Sequence, residues 1–197
     1  MWGAFPQQAI AFERLNGGLL RVKFARNSLA SYAVGQYIFV NFPQVSLLEW
    51  HPFTIASGPK EPNIEIDIRG LGDHTRALIK RAEDGSSTLV RADGPYGAWP
   101  FNFARYRKVL FVSGGVGVTP CIAAIRHIYF INRALAAPET LLKEVFFVWS
   151  CPNEETFGWF KEVLEEIWSK SGRYGLPIFH VSLDHSLCPE KFSHSYT

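Results

Sequence analysis

Val109-Leu110-Phe111-Val112-Ser113-Gly114-Gly115-Val116-Gly117-Val118-Thr119-Pro120 reads as a buried strand that runs into a glycine-rich turn and then a helix. A continuous apolar run such as residues 109–112 suits a parallel strand covered on both faces. Gly115 and Gly117 let the backbone approach an anion with no Cβ in the way, and the helix start beyond them offers free N–H groups and partial positive charge. Thr119 is expected to cap that helix, with Pro120 as its first residue. A pyrophosphate fits such a turn; a tight strand-to-helix connection that holds nothing uses the same residues. The stretch is not a Walker loop, since no Gly-Lys-Ser/Thr follows. It also departs from the standard dinucleotide fingerprint, because Pro120 stands where the third glycine would be.

Downstream, apolar strand patterns at residues 109–112, 145–149 and 178–183 alternate with helical ones, the pattern of parallel βαβ units with helices laid on a sheet. The helix after Asn153 is expected to carry Phe157, Phe160, Val163, Leu164, Ile167 and Trp168 on one stripe. Upstream, short strands at 19–24, 36–42, 64–69 and 87–91, with a short helix over 75–82, are separated by turn residues. Residues 64–69 alternate most clearly. Ile64, Ile66 and Ile68 share one face, while Glu65, Asp67 and Arg69 share the other, which is expected to be a polar surface. The predicted fold is an antiparallel β barrel, residues 1–104, followed by a parallel-sheet α/β unit, residues 105–197, that is C-terminally incomplete.

Composition narrows the functional classes. Hydrophobic residues make up 47% and charged residues 19% of the 197, which excludes wholesale disorder. A formal charge of +2 gives no support to a nucleic-acid partner or a membrane-hugging basic face. Aromatics reach 15%, which suits either a dense β core or pockets that stack flat ligands. Cys121, Cys151 and Cys188 suggest neither a disulfide framework nor paired metal ligands, and read as small buried residues in a reducing compartment. No segment reads as a membrane span or a secretory leader, and the chain itself is expected to be soluble. The histidines show no ligand spacing, so no metal site is expected.

Two further features bear on chemistry. In Trp50-His51-Pro52-Phe53-Thr54, an aromatic and a proline flank a hydroxyl, which serves either to present a flat face and an edge hydrogen bond to a heteroaromatic ring or simply to pack a barrel core. Arg69, on the polar side of its strand, suits two phosphates or an ion pair with Glu65 or Asp67. Together with Gly72-Asp73-x-Thr75, Asp93-Gly94-Pro95-Tyr96-Gly97 and Gly115-Val116-Gly117-Val118-Thr119-Pro120, these motifs stand in a familiar order and spacing. Over residues 19–183 the chain resembles the ferredoxin-reductase-like dehydrogenase region of NADPH oxidases and ferric reductases.

The resemblance implies a function. His51, Pro52, Phe53 and Thr54 would hold the isoalloxazine of FAD, and Arg69, Gly72 and Thr75 its pyrophosphate. Gly94, Pro95, Tyr96 and Gly97, read as a loop, would join Gly115, Gly117, Thr119 and Pro120 on the phosphates of NAD(P)H. Trp149 and Cys151 would border its adenosine part. NADPH is the family's donor, although Pro152 replaces the arginine that commonly meets the 2′-phosphate. Electrons would pass from NAD(P)H through FAD to haem in a transmembrane part of a parent protein, and on to oxygen as superoxide. The region would lie at the cytoplasmic face of a membrane, with regulatory subunits as candidate partners. A ferric-chelate reductase, or a non-catalytic nucleotide-binding fragment, is the alternative. The chain ends before the family's Cys-Gly-Pro segment and terminal aromatic, and is expected to be a piece of a longer protein.

Overall fold

A computed structural model describes residues 6–26, 29, 31–83, 89–97, 102–134, 141–151, 153–173 and 176–184. The chain folds as two compact units, Met1–Trp99 and Pro100–Thr197. The readings placed on residues 87–88, Pro152 and Cys188 lie outside the described residues.

In the first unit β1 (Pro6–Leu15) turns through a 3-10 turn, Asn16–Gly18, into β2 (Leu19–Ala25), followed by β3 (Tyr37–Asn41), β4 (His51–Thr54), β5 (Asn63–Arg69), α1 (Asp73–Glu83) and β6 (Leu89–Tyr96). The strands form one antiparallel sheet in the order β4-β3-β6-β1-β2-β5. Its two edges meet where Ile55 bridges Ile66 and the Ala56 N–H donates to the Glu65 carbonyl at 2.7 Å, so the sheet closes into a barrel. Ile38, Val40, Ile64, Ile66, Ile68, Val22 and Phe24 fill the interior. Strand β6 runs on through Asp93-Gly94-Pro95-Tyr96, a stretch expected from its residues to be a loop. Gly94 makes this passage feasible: its φ is +142°, and a Cβ there would sit 3.0 Å from Ile38 Cγ2.

The alternation of β5 is as expected on its apolar side and different on its polar side. Glu65 and Asp67 are buried, not surface residues. Strand β2 lies antiparallel to β5 with Arg21 directly opposite Asp67, and the equally buried Arg21 places Nε 2.9 Å from Asp67 Oδ1 and 3.3 Å from Glu65 Oε1. Lys23, opposite Glu65, adds a weaker contact at 3.7 Å. Removing one member of a buried ion cluster leaves its partners desolvated without compensation. Arg21→Ala is therefore expected to destabilise the chain by roughly 3–5 kcal/mol, read as a lowered denaturation midpoint, whereas Lys23→Ala moves it little.

The second unit runs β7 (Lys108–Gly114), a 3-10 turn Gly115–Val118, α2 (Thr119–Ala134), β8 (Glu144–Ser150), α3 (Glu154–Phe157), α4 (Lys161–Ser169) and β9 (Ile178–Asp184). The three strands are parallel in the order β7-β8-β9. Two expectations are corrected here. Strand β7 is covered on one face only: Phe111 is buried, while Leu110 and Val112 are 60% and 66% exposed. The single helix after Asn153 is two. Asn153 Oδ1 accepts the Thr156 N–H at 3.1 Å to start α3, and Gly158 ends it. The break tucks Trp159 and Phe160 into the core and leaves Trp168 exposed. Among the described residues no helix is long and apolar enough to cross a membrane.

Candidate functional site

β-Sheet register, more than sequence adjacency, groups the candidate residues of the barrel. Strand β3 pairs with β4 on one side and β6 on the other, so Tyr37 lies opposite both Thr54 and Tyr96, and Phe39 lies opposite Pro52 and Asp93. Directly opposed side chains share a face. Pro52, Thr54 and Tyr96 therefore border an aromatic platform in which the rings of Tyr37, Phe39 and Tyr96 stand 5.7–5.9 Å apart, centre to centre. The Tyr96 hydroxyl donates to Asp93 Oδ2 at 2.7 Å, and this bond to the carboxylate raises the phenol above its ordinary pKa. Tyr37 and Phe39 are not among the residues that sequence reasoning singles out; aromatics alternating with Ile38 and Val40 are the signal that could have found them.

His51 and Phe53 take the other face of β4 by the same alternation. Phe53 packs against the barrel core, and His51 stands beside His74 of α1, ring centres 4.2 Å apart. Its neighbour Glu49 places Oε2 3.4 Å from His51 Nε2 and 2.9 Å from His74 Nδ1. The His51–Thr54 block is thus split, with His51 next to the start of α1. There the Gly72 N–H donates to Thr75 Oγ1 at 3.1 Å and that hydroxyl donates to the Gly72 carbonyl at 3.0 Å, which fixes the turn. Arg69 ends β5 just before this turn. Because Arg21 takes both Asp67 and Glu65, the Arg69 guanidinium makes no ion pair or side-chain hydrogen bond among the described residues.

In the second unit helical winding begins earlier than the sequence pattern suggests. Gly114 is extended, Gly115 has a φ of +50°, and Thr119 is already helical, with its hydroxyl donating to the Val116 carbonyl at 2.9 Å. Thr119 is therefore not the cap, and Pro120 is the second helical residue, where its missing N–H costs no hydrogen bond. A Cβ at Gly117 would meet nothing within 4 Å, so the turn is open to an approaching group. Trp149 is wholly buried among Phe157, Trp159 and Phe160, and its indole N–H donates to the Gly115 carbonyl at 3.0 Å. It offers a ligand no surface in this arrangement and instead holds the turn. Gly114, Ser150 and Asp184 lie level at the C-terminal ends of the three strands, the end at which open α/β sheets bind ligands.

Cys151, just past β8, and Cys121, in the first turn of α2, are both buried. Desolvation pushes their thiols up, to about 12 for Cys151 and to about 11 for Cys121, the latter moderated by a hydrogen bond with Ser113. Raised thiol pKa values keep both residues neutral and poorly nucleophilic near pH 7, with thiolate appearing only as the pH climbs through those values. Alkylation of the folded chain near neutral pH, read by peptide mass spectrometry, is expected to spare both residues and to reach them after denaturation.

Comparison with known proteins agrees with this division. Residues 5–99 match the FAD-binding domain family, and residues 106–180 match the ferric reductase NAD binding domain family. NADPH oxidase 1 of Rattus norvegicus is 37% identical over 149 residues, covering 74% of this chain and 26% of that protein. NADPH oxidase 3 of Homo sapiens is 35% identical over 162 residues, covering 77% of this chain and 28% of that protein. The chain thus spans about a quarter of the length of these curated relatives. A ferredoxin NADP+ reductase from Neisseria gonorrhoeae, solved with FAD and NADP, shares the fold at a TM-score of 0.66 and 14% identity, covering 95% of this chain and 70% of that one. The fold and the two matched domains define a flavin- and nicotinamide-nucleotide-binding oxidoreductase of ferredoxin-reductase architecture. Within that class, the chain belongs to the NADPH oxidase and ferric reductase family.

Proposed function

We propose that this chain is the dehydrogenase region of a transmembrane electron-transfer enzyme, carrying electrons from NAD(P)H through FAD towards haem in the membrane part of a parent protein, with oxygen as the final acceptor. The observation that carries the reading is Arg69, a cation left unpartnered among the described residues beside the fixed Gly72–Thr75 turn, on a strand whose two carboxylates are spent on Arg21. A bound flavin supplies the chemistry, accepting hydride from nicotinamide and releasing electrons singly.

The residues present fit that group, and their work is binding and orientation. Arg69 and the amide-rich start of α1 hold the FAD diphosphate. The face formed by Pro52, Thr54, Tyr37 and Tyr96 takes the isoalloxazine, with the Thr54 hydroxyl free to hydrogen-bond its edge. The Gly94–Gly97 end of β6 thereby joins the flavin face through Tyr96. The amides of Gly115–Val118 and the open side of Gly117 take the diphosphate of the nicotinamide nucleotide, with Trp149 fixing Gly115 and Ser150 and Cys151 bordering the adenosine. No side chain in this scheme has to act as general base. The region lies at the cytoplasmic face of the membrane in the parent protein. The match of residues 106–180 to a ferric reductase domain favours ferric iron as the second acceptor to consider; superoxide formation against ferric reduction by the parent protein separates the two.

Loss of the charge-assisted bonds from a guanidinium removes roughly 1.5–3 kcal/mol of binding. Arg69→Ala is expected to weaken FAD binding by tenfold or more, measured by quenching of flavin fluorescence, and Arg69→Lys to fall between, because an ammonium keeps the charge and loses the fork. Equal affinity in all three chains would remove the assignment.

A further inference from the structure

We propose that Glu49, His51 and His74 form a binding site for a divalent transition-metal ion of the zinc class, on the side of β4 away from Pro52 and Thr54. Three segments converge there: the loop before β4 supplies Glu49, the first residue of β4 is His51, and the first turn of α1 supplies His74. Their ligating atoms all lie within 4.8 Å of one another. Glu49 Oε2 is 3.4 Å from His51 Nε2 and 2.9 Å from His74 Nδ1. Ligand atoms on a tetrahedral zinc ion with bonds of about 2.0–2.1 Å stand roughly 3.3–3.4 Å apart, so the trio needs only small adjustments to close on an ion.

A second observation, independent of the spacing, points to a ligand. The His74 side chain is only 8% exposed, packed between the rings of His51 and Phe42, and neither of its ring nitrogens makes a hydrogen bond. The short approach of Nδ1 to Glu49 is a close contact with the wrong direction for a hydrogen bond. A buried polar atom without a partner is costly and uncommon, and coordination of a metal satisfies one of the two nitrogens. His51 and Glu49 are open to solvent at the rim, which gives an ion a way in and leaves a coordination position for water. Two imidazoles and one carboxylate with no thiolate select zinc-like divalent ions over soft Cu(I) and over the all-oxygen preference of magnesium or calcium.

This inference does not depend on the flavin reading, and its test uses no flavin. The full chain, stripped of metal, is titrated with Zn2+ against a chromophoric chelator and with Co2+ followed by visible absorption. One equivalent is expected to bind with the intense d–d spectrum of four-coordinate cobalt. Glu49→Gln and His74→Gln are each expected to weaken binding by about 100-fold, since ligands matter at least as much as their supporting shell. Glu49 is exposed, so Glu49→Gln reads out ligation in a chain whose circular dichroism is unchanged, even if His74→Gln disturbs packing. Failure to bind, affinity unchanged in both variants, or thiolate charge-transfer bands that assign the metal to cysteine would each overturn the site.

Discussion

The Arg21 guanidinium, enclosed between Asp67 and Glu65 in the wall of the barrel, is the contact on which the rest of the first unit depends. Two carboxylates cannot remain ionised in a desolvated sheet face without a cation, and β2 supplies it from the position directly opposite Asp67. Satisfying that demand has a consequence further along the same strand. The acidic neighbours that would otherwise claim Arg69 are already engaged, so the barrel delivers a spare positive charge to the mouth of the α1 turn. A structural requirement and a binding function are therefore met by dividing two arginines between one pair of acids and one open site.

The second unit solves a related problem with backbone in place of charge. Its turn after β7 has to expose amides, and exposed amides on glycines are conformationally loose. The indole of Trp149 limits this looseness by holding the Gly115 carbonyl from within the core, while Phe157, Trp159 and Phe160 fix the indole. The break between α3 and α4 is what lets Trp159 and Phe160 reach that position. Packing far from any ligand thus sets the geometry of the turn. The same burial keeps Cys121 and Cys151 protonated, which suits residues beside a redox reaction that must not enter it.

Much of this is legible in the sequence because period and punctuation are local properties. The strands at 109–112, 145–149 and 178–183 and the strand-turn-helix at Gly115–Pro120 follow from apolar runs ended by glycine and proline, and the family resemblance adds the flavin barrel. What is not legible depends on what lies opposite. Alternation along residues 64–69 says which residues share a face, but only the register with β2 reveals that Glu65 and Asp67 meet Arg21 and are buried. Alternation within His51–Thr54 likewise splits a block that looks continuous in sequence, and only the closure of the barrel onto α1 brings Glu49, His51 and His74 together. Thr119 departs from expectation because a 3-10 turn begins the winding early, so a residue with good capping chemistry has no end left to cap.

The central claim is that each unit carries its own dinucleotide site. Titration calorimetry of the chain with FAD, followed by NADP+ added to the FAD-saturated chain, tests it most directly. One equivalent of each is expected, with NADP+ binding undiminished by bound FAD. Displacement of one nucleotide by the other, or absence of heat for both, would contradict the account.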